Sequence, residues 1–378
     1  MTFLISFDYW YKNFLLLLMK NWLFKTISNK KPFKKIIVFR TGSIGDNICA
    51  LPALSVIKNN FPDAQIDILT NSGSASNVSL DKLIDQSQFN SIINYFGVSK
   101  KQLIKDLKKN NYDLFIELPQ YDASLFRQIR TMLFVRVIGV KHAFGWRISQ
   151  TMIFKKFQEK NIVFLNERDR LLAILKDNNL AVSDWNFVVA NDPAQTESAQ
   201  QIITQSKLTE KKRNIGLVIG SKLERNKWPL PYFKQVVEYF VGDNYNVLIF
   251  GGADDKQKAE TLKIANTVFN FCGSFTPLQT AEAMRYCSVV ITNDTGPMHL
   301  SYLVKTPVVA LFSSRDFPRK WYPPEDGLNK VFRSENISCS ICFTQTCSDN
   351  ICLKKISSQQ VIEAAKEILN KLNLPATV

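Results

Sequence analysis

Short apolar runs rich in β-branched residues alternate along the chain with longer segments whose apolar positions recur at helical spacing. KIIVF (Lys35–Phe39) is the first such run. A glycine-containing turn, RTGSIGD, follows, and then the helical pattern NICALPALSVIKNNF. Pro52 lies inside that pattern and predicts a kink or a loosened turn. QIDILT (Gln65–Thr70) reads as the next strand, SKKQLIKDLKKNNY as a helix, and DLFIELP (Asp113–Pro119) as a buried strand. Strands alternating with helices predict a parallel sheet covered on both faces.

The pattern restarts in the second half. NIGLVIG (Asn214–Gly220), NVLIFGG (Asn246–Gly252), SVVIT and VVALF read as strands. PLPYFKQVVEYFV, DDKQKAETLKIANTV, TPLQTAEAMRYC and PMHLSYLV read as the helices between them. VVANDPAQTESAQQIITQSKLTEKKR is polar and predicts the boundary between the halves. The expected organisation is an N-terminal segment over 1–34, an α/β domain over 35–190, a linker over 191–212, a second α/β domain over 213–355 and a last helix over 356–378. That last helix, SSQQVIEAAKEILNKL, can pack on either half. Ligands of doubly wound sheets bind outside the carboxyl ends of the strands, so chemistry is expected in the loops that directly follow strands.

Composition narrows the partners. Apolar residues make up 46% of 378 residues, enough for two substantial cores. A net charge of +15, from 48 Lys and Arg against 33 Asp and Glu, favours anionic partners. The basic residues are spread out and carry no RNA-binding or zinc-finger signature, so nucleic acid is not expected. No run of about 18 apolar residues marks a membrane span. The first 34 residues interleave Trp10, Trp22, Tyr9, Tyr11 and several Phe with Lys12, Lys20, Lys25, Lys30, Lys31 and Lys34. This mixture suits a helix lying in the interface of an anionic membrane; packing on the domain is the other reading. No signal-peptide pattern is present, so a cytoplasmic location is expected, peripheral on the inner face of the membrane.

Three loops carry candidate chemistry. TNDTGPMHL (Thr292–Leu300) holds one of the two histidines. An aspartic protease would need a second such motif in a largely β chain, and a metal would need more ligands than Asp294 and His299. The context is instead a strand, a loop of Asp294 and Thr295, and a helix opening at Gly296 and Pro297 with Met298 and His299 in its first turn. Such a helix start binds phosphate through backbone N–H groups; a simple cap by Asp294 or Thr295 is the alternative. RTGSIGD has the same placement, with Thr41, Gly42, Ser43 and Gly45 forming a tight turn and Asp46 at the helix start. It is neither a dinucleotide fingerprint nor a P-loop. Asp46 is either a cap or a general base, and spacing leaves both open. After the first strand of the second half, Ser221, Lys222, Arg225 and Lys227 form a cationic loop able to hold a diphosphate.

Together these loops resemble glycosyltransferase family 9, the heptosyltransferases. The likeness rests on IIVFRTGSIGDNICALPALSVIKNNFPDAQIDIL, GSKLERNKWPLPYF, FGGADD and FCGSFTPLQTAEAMRYCSVVITNDTGPMHLSYLVKTPVVALF, in that order. It implies the GT-B fold, two facing Rossmann-like domains with a cleft between them. It implies inverting, metal-independent transfer of a sugar from a nucleotide diphosphate, ADP-heptose by expectation, to a lipopolysaccharide core or glycolipid acceptor, with no other cofactor. Asp46 matches the family's catalytic base and Lys227 its phosphate-binding lysine. Asp294 matches the donor-sugar contact, and Thr295, Gly296 and His299 the donor-phosphate contacts. A related transferase using another nucleotide sugar, or a homologue that binds the donor without catalysis, would share these features.

Two regions go beyond the resemblance. Arg127, Arg130, Arg136, Lys141, Arg147, Lys155 and Lys156 in the stretch after the third strand suit an anionic acceptor or a solvated surface. Cys339, Cys342, Cys347 and Cys352 have a first spacing suited to a structural zinc, with later spacings tighter than in usual zinc modules; reduced thiols are the alternative.

Overall fold

The structure is a computed structural model and describes residues 2–25, 32–73, 79–157, 164–183, 186, 192–208, 213–344 and 346–373. Lys30 and Lys31 of the basic segment, and 187–191 and 209–212 of the polar boundary segment, lie outside the described residues. The chain divides into two compact units, Met1–Asn191 and Asp192–Val378.

In the first unit, β1 (Lys35–Phe39), β2 (Gln65–Thr70), β3 (Ser91–Asn94), β4 (Leu114–Glu117) and β5 (His142–Phe144) form a parallel sheet in the order β3-β2-β1-β4-β5. Its helices are α1 (Thr2–Leu23), α2 (Ile44–Asn60), α3 (Lys100–Lys109), α4 (Leu125–Val137), α5 (Gln150–Phe157) and α6 (Glu167–Lys176). Ile36, Ile37 and Val38 of the central strand are fully buried. α2 is buried along its whole length from Asn47 to Ile57, as a helix apolar all round should be. It continues through Pro52 and begins three residues before the apolar pattern does.

In the second unit, β6 (Asn214–Val218), β7 (Asn246–Phe250), β8 (Val268–Asn270), β9 (Val289–Asn293), β10 (Val308–Phe312) and β11 (Lys330–Arg333) form a parallel sheet in the order β11-β10-β9-β6-β7-β8. Its helices are α7 (Pro193–Gln205), α8 (Leu230–Gly242), α9 (Lys256–Glu260), α10 (Pro277–Met284), α11 (Gly296–Leu303), α12 (Ile351–Lys354) and α13 (Ser358–Asn373). Each sheet therefore has its first strand in the middle and reverses direction beside it, the Rossmann arrangement. The switch points lie between β1 and β4 and between β6 and β9. The glycine turn and the Asp-Thr-Gly loop directly follow strands at these two points.

Two segments differ from their sequence patterns. The helix expected over DDKQKAETLKIANTV stops at Glu260. Its last residues turn into β8, where Val268 pairs with Val247 on the sheet edge; a β-branched residue gains more there than in a solvated helix. Part of the polar boundary segment folds as α7, with Asp192 accepting hydrogen bonds from the Ala194 and Gln195 amides and Pro193 in the first turn. Ala199 and Ile203 form its buried stripe. Its polar face meets α10, where Gln195 accepts from Thr276 Oγ1 at 2.8 Å and Ser198 from Gln279 Nε2 at 2.9 Å. α13 joins the core of the second unit through Val361, Ala365, Ile368 and Leu369.

Candidate active site

In the second unit the loops after β6 and β9 are sewn together at the switch point. Asn293, the last residue of β9, is fully buried. Its Nδ2 donates to Ile219 O at 2.8 Å, and its Oδ1 accepts from the Trp228 amide at 2.9 Å. Ser221 Oγ donates to Asp294 O at 3.3 Å and Asn226 Nδ2 to Asp294 Oδ2 at 3.2 Å. Ser313 Oγ, just past β10, donates to Asn226 Oδ1 at 2.7 Å. Trp228 is buried and donates from Nε1 to Ile356 O at 2.9 Å. That anchor fixes its neighbour Lys227, whose Nζ donates to Glu224 Oε2 at 2.6 Å. Lys222 stays exposed.

The start of α11 lies directly beyond Asn293. Thr295 takes the N-cap position with an extended backbone and makes no side-chain cap bond. Asp294 spends Oδ2 on the Asn226 amide. The start of the helix adjoins a carboxyl that is itself hard to ionise. Burial pushes Asp294 up to about 7, Asp316 adds to the rise, and Arg315 and Lys320 oppose it. His299, one turn in, is buried and its Nδ1 shares a hydrogen bond of 2.6 Å with Tyr302 Oη. Burial lowers it to about 4, so at neutral pH the ring is neutral rather than a cation.

In the first unit β1 runs into Arg40, which is fully buried. Its Nη2 donates to Asp46 O at 2.6 Å, and its Nη1 to Leu118 O at 3.3 Å and Pro119 O at 3.2 Å. Asp46 occupies the third position of α2 and forms a capping box with Ser43. Its Oδ2 accepts from the Ser43 amide at 2.9 Å and from Ser43 Oγ at 2.6 Å. Its Oδ1 takes no hydrogen bond and lies 3.8 Å from Arg40 Nη2. Gly42 has φ +150°, and a Cβ there would lie 2.4 Å from Asp46 Cβ, so the turn requires glycine. Glu117 closes β4 beside this group. Burial pushes it up to about 8, against the pull of Arg127 and Arg40.

The model of glycosyltransferase family 9 (heptosyltransferase) matches residues 101–352 of this chain. The chain belongs to glycosyltransferase family 9. It is 27% identical over 353 residues to lipooligosaccharide heptosyltransferase 2 of Campylobacter jejuni, covering 90% of this chain and all of that one. A solved family 9 glycosyl transferase from Veillonella parvula superposes with a TM-score of 0.69 at 22% identity, over 89% of this chain and 97% of that one. The structure of Escherichia coli ADP-heptose lps heptosyltransferase II superposes at 0.62 with 17% identity, over 90% of this chain and all of that one. The protein is a glycosyltransferase with the GT-B fold.

Within this family 9 chain the residues singled out from sequence fall into two groups, one per unit. Thr41, Gly42, Ser43, Gly45 and Asp46 gather at the β1 end. Ser221, Lys227, Asp294, Thr295, Gly296, Pro297, Met298 and His299 gather at the β6 and β9 ends. Arg225 departs from its expected place: it is buried and lines a small cavity with Arg315, Ser313 and the four clustered cysteines. Those cysteines are free thiols. Among the described residues no three His, Cys, Asp or Glu are placed to hold a metal ion, and two guanidinium groups at the same cavity oppose a cation. The zinc expectation gains no ligand set. Arg40, Glu117, Asn226 and Asn293 were not anticipated. Arg40 ending an apolar strand, and Asn293 ending another, are the signals that could have marked them.

Proposed function

We propose that this glycosyltransferase moves heptose from ADP-heptose onto the core of a lipopolysaccharide or lipooligosaccharide, with inversion and without a metal ion. The observation that carries the reading is the start of α11, a helix N-terminus without a side-chain cap at the β6–β9 switch point. The donor diphosphate would take the amides of that helix start, with Thr295, Gly296 and Met298 around it and the His299 ring N–H behind. Lys227 would add the positive charge, and Asp294 would accept a donor-sugar hydroxyl. The similar Escherichia coli enzyme has ADP-heptose in its name, which supports that donor.

The Asp46 carboxylate then removes the proton of the acceptor hydroxyl. The hydroxyl oxygen bonds to the anomeric carbon as the carbon–oxygen bond to the diphosphate breaks, and ADP leaves with the electron pair. Lys227 and the helix amides stabilise the departing charge. The acceptor is a lipid-linked anionic saccharide, so the reaction takes place at the cytoplasmic surface of a membrane, with the enzyme bound peripherally.

The test is transfer from ADP-heptose, UDP-sugars and GDP-sugars to a core acceptor, with Asp46→Asn in parallel. Asparagine keeps the Ser43 bonds, so the fold and the nucleotide-induced thermal shift should persist while kcat falls at least about 100-fold. Near-normal turnover would remove Asp46 as the base. Transfer only from a non-adenine donor would overturn the ADP-heptose assignment.

A further inference from the structure

α1 has two apolar faces, and the first unit uses only one of them. Ile5 and Leu16 are buried in the core it shares with α4 and α5. On the other face Leu4, Phe7, Trp10, Tyr11, Phe14, Leu17, Leu18 and Trp22 are each between 40 and 79% exposed. At 3.6 residues per turn they fill an arc of about 140°. Their rings support one another: Trp10 stacks on Phe14 at 5.1 Å and Phe7 on Tyr11 at 6.1 Å. Folding gains nothing from exposing such a stripe, and contiguous apolar surface of this kind marks an interaction site.

The surroundings decide what covers it. α4, packed beside α1, exposes Phe126, Leu133 and Val137 together with Arg127, Arg130 and Arg136. Lys25 leaves the end of α1 hydrogen-bonded through its amide to Lys141 O, and both lysines are exposed. The one acid in α1, Asp8, is neutralised by Lys12 at 2.7 Å. A protein partner or a second copy would prefer an apolar centre with a mixed rim. This surface has tryptophan, tyrosine and phenylalanine flanked by an excess of cations, and the exposed acids beside it, Asp122 and Asp177, are paired with Arg127 and Arg147, which matches the headgroup zone of an anionic bilayer. No described helix is long and apolar enough to cross a membrane.

We infer that the exposed face of α1, with the cations of α4 and the Lys25–Lys141 pair, is a docking surface for anionic phospholipid bilayers. α1 lies in the plane of the interface, with its aromatic stripe among the acyl-chain ends of the headgroups. This deepens the proposed function, because a lipid-linked acceptor is reached only at such a surface, yet the docking stands on its own observations.

The test is flotation of the full chain with vesicles of phosphatidylcholine alone or with phosphatidylglycerol added. Wild type should float with the anionic vesicles and be released at high salt. Trp10→Ser/Phe14→Ser/Trp22→Ser alters only exposed side chains, so its melting temperature should hold while partitioning falls at least about tenfold. Lys25→Glu/Lys141→Glu should abolish the preference for anionic vesicles. Transfer to a soluble, deacylated acceptor should be unchanged in the triple serine variant, which separates failure of docking from failure of the transferase reading. Undiminished flotation of the triple serine variant would overturn the proposal. So would a wild-type dimer that the same variant converts to monomer without any vesicle binding.

Discussion

Asp294 and His299 sit in one loop and helix start, and burial moves them in opposite senses. Asp294 is pushed up to about 7, so the folded chain keeps a proton that the unfolded chain loses near its ordinary value. Its contribution to stability is present at low pH and disappears as pH rises through about 7. His299 is lowered to about 4. Its contribution is present above its ordinary value and disappears as pH falls from about 6.5 to about 4, on the order of 3 kcal/mol at the limit. Melting curves of Asp294→Asn and His299→Gln against wild type between pH 4.5 and 8 separate the two. Relative to His299→Gln, wild type should lose stability on acidification below 6.5. Relative to Asp294→Asn, it should lose stability as pH rises toward 7. A flat difference in either series would remove that residue from the buried, shifted state. None of this was legible in the sequence. NDTGPMH identified the residue types and their helix start, but the burial of both groups and the charges of Asp316, Arg315 and Lys320 around Asp294 come from tertiary packing that no local pattern reports.

The two helices that follow the switch-point strands begin differently, and the difference divides their roles. At the start of α2, Asp46 Oδ2 holds the Ser43 amide and hydroxyl. α11 makes no side-chain cap at Thr295, which suits the diphosphate site proposed for it. Ser43→Ala removes the 2.6 Å bond to Asp46 Oδ2 and should cost about 1 kcal/mol of stability. It should also lower kcat more than it raises the donor KM, because the carboxylate loses one of its two positioning bonds. Unchanged kcat would mean that the box serves α2 alone. Central strands such as β1, β6 and β9 were legible because burial on both faces leaves continuous apolar runs. The edge strands β3 and β11 are only partly buried, so their sequences mix polar and apolar residues and carry no such run. The bracing at Asn226 was equally hidden, since an asparagine after a strand looks the same whether solvated or clamped between strand ends.

At the scale of the molecule, one strand-to-helix device occurs twice, and in the proposed reaction each copy carries a separable part. Asp46 belongs to the first unit and Lys227 to the second. The ordered run of family motifs pointed to both residues, while the buried Arg40 guanidinium 3.8 Å from Asp46 and the raised Glu117 beside Arg40 required the fold. The pairing of Lys227 with Glu224 puts little in the way of a ligand, because Glu224 is 78% exposed and exposed ion pairs contribute no more than about 1 kcal/mol. A diphosphate with two charges displaces it readily. Lys227→Ala should therefore weaken ADP binding at least about tenfold, measured by calorimetry, and Glu224→Gln should leave it equal or tighter. Asp46→Asn should not change it. Because the two residues share no partner, the double variant Asp46→Asn/Lys227→Ala should bind ADP as Lys227→Ala does, within about 0.5 kcal/mol of additivity. Its kcat at saturating donor should be no lower than the product of the two single losses. An ADP affinity that depends on Asp46 would place that carboxylate in the donor site and would sink the division of labour between the two units.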